Sequence, residues 1–287
     1  MANSKSFLAS VGATALVLSV GSGCATRPAE HDVEAPTPCA VTASPTILFV
    51  LSAAGEQTLR NGKTRATGFF LSEFYEAYRA VVDAGYDVAI ATTDGRAPVV
   101  DPESLEGDYW EAHPTWKDEA LALVSDDPRF ATPLSLPDVR QRSNEYIGLV
   151  VPGGQGVMID LVDDADLHAL VVEYGASGRA VGLICHAPAL LTRIPDRTNP
   201  FAGRTVTSVS GFEEFYIERF VMKGRALDRK IARQLGAKGY RHRRSFPGKP
   251  GAQRDGNLVT SQNPFSGDAF NTELLAVLAE QSDRRGC

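Results

Sequence analysis

Short runs of β-branched and apolar residues alternate along this chain with segments of helical periodicity, and that alternation constrains the fold more than any other feature. Residues 45–52 (PTILFVLS), 86–92 (YDVAIAT), 146–152 (YIGLVVP) and 180–184 (AVGLI) read as buried strands, with 204–210 and 257–261 as further ones. Residues 68–85 place Phe70, Phe74, Ala77, Tyr78 and Val81 at spacings of three and four and stop at Gly85, as an amphipathic helix does. Residues 165–175 and 268–280 carry similar spacing. Residues 95–144 contain a shorter helical segment at 117–124 and several prolines; this excursion exceeds an ordinary βα connection and could roof a site. The pattern predicts an α/β fold, doubly wound, with a mostly parallel sheet and helices on both faces. Such sheets bind ligands outside the carboxyl ends of their strands.

The chain has 287 residues, of which 1–23 read as a signal peptide: a basic start at Lys5, an apolar run, then small residues before Cys24. A cysteine there predicts a lipoprotein-type signal with Cys24 lipidated, and therefore an exported protein, periplasmic or membrane-anchored. Residues 24–44, rich in proline, alanine and charge, read as a flexible linker, which leaves 45–287 as one domain. The net charge of −6 argues against nucleic acid as a partner. The stretch 223–254 is basic with Asp228 as its only acid, and it reads as a solvated helix and loop. The four cysteines are too few and too dispersed for a disulfide scaffold or a CxxC site. In an oxidising envelope Cys39 and Cys287 could pair. His113, His168 and His242 lack metal-ligand spacing, so no metal is expected.

The strongest chemical signal is 181–191 (VGLICHAPALL), where a buried strand stops at Cys185 and a helix is expected at once. A sharp strand-to-helix turn would hold the thiol above the sheet, and a helix N-terminus beneath it would favour the thiolate. A buried core cysteine is the bland alternative, weakened by the His and Pro that follow.

Here the sequence resembles the ThiJ/PfpI superfamily, of class I glutamine amidotransferase-like (flavodoxin-like) fold, and within it the glyoxalase III-like, heat-shock chaperone-like branch. The resemblance spans about residues 45–280. It rests on 67–73 (TGFFLSE), 152–156 (PGGQG), 185–189 (CHAPA) and 203–207 (GRTVT) leading to Glu213-Glu214, with 259–264 (VTSQNP) similar to the family's closing strand. It implies that Cys185 is the nucleophile and Glu73 the acid beside it. His186 would be the histidine, and Glu214 the carboxylate that orients it, with Glu213 as the fallback. Phe69, Phe70, Leu71 and Phe74 surround Glu73 in sequence, which should raise its pKa. Gly153 and Gly154 would offer backbone N–H groups to an oxyanion, together with the His186 amide. The chain departs from the family at Ala187, where Gly is usual, and at Gln155, where His is common.

The activity implied is glutathione-independent conversion of methylglyoxal or a similar dicarbonyl to a hydroxy acid. The partner is then a small-molecule carbonyl substrate. No cofactor is required, and the membrane is touched only through an N-terminal lipid; a homodimer is compatible with all of this. A cysteine amidase or peptidase would use the same elbow. A stress chaperone in which Cys185 senses oxidation is the non-enzymatic alternative.

Overall fold

Ile47, Leu48, Phe49 and Val50 are all fully buried in strand β1 (Thr46–Val50), at the centre of the sheet. A strand with no polar face has to be covered on both sides, and that demand organises everything around it. The structure, a computed structural model, describes residues 44–285. A small hairpin, β2 (Glu56–Thr58) and β3 (Thr64–Ala66), follows β1 outside the main sheet. Then come β4 (Asp87–Thr92), β5 (Leu134–Ser135), β6 (Tyr146–Val151) and β7 (Ala180–Ile184). Strands β8 (Thr205–Val206) and β9 (Arg241–His242) pair with each other, while β10 (Ala252–Asp255) and β11 (Leu258–Ser261) return to the sheet.

The seven-stranded sheet has the order β10-β11-β7-β6-β1-β4-β5. Every neighbouring pair is parallel except β10 with β11. Setting aside the short β5 and the antiparallel β10, the strands run 2-1-3-4-5 in order of appearance, the flavodoxin-like arrangement. Winding reverses between β1 and β6, which opens a crevice at their carboxyl ends.

The helices are α1 (Leu71–Asp83), α2 (Trp116–Asp126), α3 (Pro128–Ala131), α4 (Leu136–Gln141), α5 (Ala165–Ser177), α6 (Gly211–Tyr216), α7 (Ile231–Ala237) and α8 (Gly267–Arg285). Helix α1 packs on α8, and α5 packs on β6 and β7. The first turn of α1 is buried all round, Ser72 and Glu73 as well as Leu71 and Phe74, so an acid is carried into the interior. Helix α5 starts where Asp164 caps the Leu167 amide at 2.8 Å and stops at Gly178, whose φ of 76° suits glycine.

Two sequence expectations are corrected. Of 204–210 only Thr205–Val206 is strand, outside the main sheet. The rest turns away because the Thr207 amide donates to Thr260 Oγ1 and the Val209 amide to the Cys185 carbonyl. After Cys185 the chain makes a 3-10 turn (Ala187–Thr192) and not an α-helix, bracketed by Pro188 and by Pro195, which disfavours helix at the residue before it. The expected leader (1–23), Cys24, the linker up to residue 43, and Cys39 and Cys287 lie outside the described residues.

Candidate active site

Strand β7 ends at Cys185, whose φ of 58° is left-handed, a conformation that a side-chain-bearing residue holds only under constraint. Two hydrogen bonds constrain it: its amide donates to the Ser261 carbonyl at 2.9 Å and its carbonyl accepts from the Val209 amide at 2.9 Å. The thiol is buried among protein atoms. Burial first, then the charges of Glu73 and Glu213, push its pKa up. The expectation of a dipole-lowered thiol is therefore corrected, since the short 3-10 turn supplies no aligned helix to offset the desolvation.

Glu73 reaches the cysteine through a glycine. Its Oε2 accepts from the Gly153 amide at 2.8 Å, while the Gly153 carbonyl accepts from the Phe70 amide at 3.0 Å, so the start of α1 and the turn after β6 are bolted together. Burial pushes the Glu73 carboxyl up to about 8 against the lowering effect of the Gly153 hydrogen bond, and the carboxyl interacts directly with the Cys185 thiol. Its Oε1 is buried without a hydrogen-bond partner. Because the Gly153 amide is taken by Glu73, it does not serve an oxyanion. The amides of Gly154 and His186 remain as the candidates. Gly154 has φ 101°, and a Cβ on it would lie 2.4 Å from the Gly68 carbonyl oxygen, so glycine there is required by close approach.

His186 does meet the sulfur: Nδ1 lies 3.2 Å from Sγ although the residues are consecutive. Its Nε2 faces Gln155 Nε2 at 2.9 Å, so the group that orients the imidazole is Gln155, at the position where the family commonly has His. Burial lowers the His186 pKa to about 4. Glu214 is corrected as the orienting carboxylate. It is buried, but its Oε1 accepts from the amides of Lys230 at 2.6 Å and Ile231 at 3.4 Å, at the start of α7. Adjacent positions on α6 point about 100° apart, and it is Glu213 that turns toward Cys185. Glu213 Oε1 accepts from Gly248 N at 3.0 Å, Gln262 Nε2 at 3.1 Å and Asn263 Nδ2 at 2.8 Å, and Oε2 accepts from Ser210 N at 2.8 Å. Burial raises its pKa, but these donors outweigh it and leave the carboxyl below its ordinary range.

Two connected spaces meet at Cys185. An inner recess of about 60 Å³ is lined by Arg65, Phe70, Gly154, Gln155 and His186, and an outer chamber of about 460 Å³ by Tyr109, Phe212, Glu213, Tyr216 and Phe265. Tyr109 belongs to the 95–144 excursion, which thus forms a wall of the site, packed edge-on against Phe70 at 4.9 Å. Pro247 and Gly248 close the chamber from the connection between β9 and β10 (residues 243–251). Sequence reading missed Tyr109, on a 3-10 turn (Gly107–Trp110), and Gly248, Gln262 and Asn263, on irregular connections. The departure at Gln155 was the one local signal of the altered histidine partner. The basic stretch 223–254 is tied down by ion pairs, among them Lys238 with Asp196 at 2.7 Å, Arg254 with Glu280 at 2.6 Å, and Arg229 with Glu218.

The sequence profile of the DJ-1/PfpI family matches residues 65–277. The chain is 25% identical over 230 residues to the glutathione-independent glyoxalase hsp3101 of Schizosaccharomyces pombe, covering 76% of this chain and 90% of that protein. It is 28% identical over 151 residues to the protein/nucleic acid deglycase HchA of Staphylococcus aureus; there the chain spans about half of the relative's length, 49%. The crystal structure of glyoxalase III from Candida albicans superposes with a TM-score of 0.67 at 22% identity, over 81% of this chain and 97% of that one. These relatives correct the envelope expectation. The family match covers residues 65–277, the names of these relatives carry no signal peptide, lipoprotein or envelope location, and among the described residues no helix is long and apolar enough to cross a membrane. The signal-peptide, lipoprotein and envelope reading is withdrawn. With a cysteine at a left-handed elbow, a carboxyl held against it and a match over most of the domain, the chain belongs to the DJ-1/PfpI family.

Proposed function

We propose that this protein is a cysteine-dependent, glutathione-independent glyoxalase-type enzyme that converts small 2-oxoaldehydes to 2-hydroxy acids. The observation that carries the reading is Glu73. It is a buried carboxyl with a proton affinity near neutral pH, fixed by Gly153 beside the Cys185 thiol, and a base so tuned suits repeated proton transfer. The inner recess of about 60 Å³ suits a two- or three-carbon unit.

The chemistry needs only groups present on this chain, and water. Cys185 Sγ attacks the aldehyde carbon while its proton passes to the Glu73 carboxylate, which hands it on to the former carbonyl oxygen, so that a hemithioacetal forms and Glu73 is ionised again. Glu73 then takes the proton from that carbon and delivers it to the neighbouring ketone carbon, while the hydroxyl proton of the hemithioacetal moves to the ketone oxygen. The aldehyde carbon is oxidised to a thioester and the ketone is reduced to a hydroxyl, with no net redox change. Water adds to the thioester, the C–S bond breaks, the sulfur regains a proton and the hydroxy acid leaves. The amides of Gly154 and His186 are the groups offered to the oxyanion.

The outer chamber of about 460 Å³ exceeds what a triose-sized substrate fills, and it favours as a second reading the hydrolysis of a larger acyl or amide substrate by the same cysteine. One panel separates the two. The purified protein, without glutathione or metal, is given methylglyoxal, glyoxal, and ester and amide substrates, with Cys185→Ser alongside. Hydroxy-acid formation lost in Cys185→Ser supports the glyoxalase reading. Ester or amide cleavage with dicarbonyls untouched overturns it.

A further inference from the structure

Behind His186 runs a line of side chains that ends in a permanent cation. Gln155 Oε1 accepts from Gln57 Nε2 at 3.0 Å, Gln57 Oε1 accepts from Arg65 Nη1 at 3.5 Å, and Arg65 Nη2 pairs with Asp101 Oδ1 at 3.5 Å. Gln57 is 1% exposed and Gln155 8%, so both amides are buried and the Gln57 amide is shut off from solvent. Arg65 and Gln57 face each other across the β2–β3 hairpin, and Asp101 is itself buried and fixed by Thr67 Oγ1 at 3.1 Å and the Glu103 amide at 3.0 Å.

An amide can point either way, but a guanidinium can only donate. Arg65 therefore obliges Gln57 to turn its oxygen outward and its nitrogen toward Gln155. That in turn obliges Gln155 to present its NH2 to His186 Nε2. Reversing either amide would set donor against donor at a buried contact, where an unmade hydrogen bond is expensive. The imidazole must then accept at Nε2 and carry its proton at Nδ1, 3.2 Å from Cys185 Sγ.

We propose that Arg65, acting through Gln57 and Gln155, is a positioning residue that locks His186 as the Nδ1–H tautomer, a fixed hydrogen-bond donor to the Cys185 sulfur and not the base that deprotonates it. Taking Cys185 as the nucleophile, this leaves Glu73 as the acceptor of the thiol proton. It also gives the hairpin at residues 56–66 a task in a site whose cysteine and acid lie at the end of β7 and on α1. The arrangement replaces a carboxylate partner for the histidine by a neutral amide whose direction is set two side chains away.

The test is the tautomer of His186, read by long-range 1H–15N correlation on histidine-labelled protein at neutral pH. The resonance is assigned as the one that moves when Cys185 is alkylated. The wild type should show Nδ1–H. Arg65→Met should lower the ratio of Nδ1–H to Nε2–H by about tenfold or more, the scale of one buried hydrogen bond. Arg65→Lys, which also only donates, should keep the wild-type tautomer. An Nε2–H tautomer in the wild type overturns the proposal without any variant having to fold, and so does an Arg65→Met protein that keeps Nδ1–H. No carbonyl substrate enters these measurements, so a failure of the glyoxalase reading would leave them standing.

Discussion

Gly153 and Glu73 are in contact so close that no other residue fits between them and the nucleophile: a Cβ on Gly153 would stand 2.7 Å from Glu73 Oε2 and 2.7 Å from Cys185 Cβ. The absent side chain is what lets the acid and the thiol share one space. Gly153→Ala should therefore separate them, with a stability loss of roughly 1–3 kcal/mol from overpacking. Its turnover should fall far more than its thermal midpoint suggests. Parallel thermal melts and turnover assays check this; an alanine variant with wild-type turnover would show that the contact is dispensable.

Cys185 should be a slow nucleophile toward alkylating agents at neutral pH, because burial and nearby negative charge raise its pKa. Its alkylation rate should still be climbing above the ordinary thiol range, at about pH 8.5. Glu73→Gln removes one source of that charge and should speed alkylation, yet should abolish turnover, since an amide cannot carry the proton. In the wild type kcat/KM should rise with pH as Glu73 ionises near about 8. Iodoacetamide kinetics beside a pH–rate profile test both halves. Faster turnover in Glu73→Gln would sink the assigned role.

Glu213 and Glu214 should part company on substitution. Glu213→Gln weakens the acceptor that Gly248, Gln262 and Asn263 share, and so loosens the chamber wall. A rise in KM of about tenfold with a smaller change in kcat is expected. Glu214→Gln keeps an acceptor for the Lys230 amide at the start of α7 and should change stability more than rate. Steady-state kinetics and melts on both variants decide it; the reverse pattern would return Glu214 to the site.

Stability should fall as pH rises across the neutral range. Glu76, on α1 one turn from Glu73, has its pKa raised from 4.5 to about 8, by burial first and then by Asp268. A group whose folded pKa is raised contributes stability that is complete below its unfolded value and is lost as pH climbs through the folded one. Glu73 acts in the same sense, and Glu214, raised to about 7, adds to it. Glu213, lowered in the folded state, acts oppositely and gives up its contribution only as pH falls through the acid range. Thermal midpoints between about pH 5 and about pH 9 should decline for the wild type and decline less for Glu76→Gln. Identical slopes would mean that Glu76 is solvated.

Much of this was legible in one dimension. The runs at 45–52, 86–92, 146–152 and 180–184 became β1, β4, β6 and β7 because a central strand writes its burial directly into consecutive apolar residues. The helix from 71 to 83 followed from its three-and-four spacing, and its aromatic surroundings correctly foretold that Glu73 would be hard to ionise. Sharp turning at Cys185 was readable too, because a buried strand that meets His-Ala-Pro has to change direction at once.

What the tertiary structure alone decided is which polar groups face one another. Glu213 and Glu214 are neighbours in sequence and differ only in azimuth on a short helix, a quantity that depends on how α6 docks and not on composition. Gln57 and Arg65 sit in a hairpin that carries no periodic signal, yet the chain folds them behind His186 and makes them the far end of its hydrogen-bond line. The thiol's pKa likewise escaped local reasoning. A helix start can be inferred from sequence, but the balance between its dipole and desolvation is set by every chain segment that closes over Cys185. Periodicity is a property of neighbours along the chain, whereas hydrogen-bond direction and burial belong to neighbours in space.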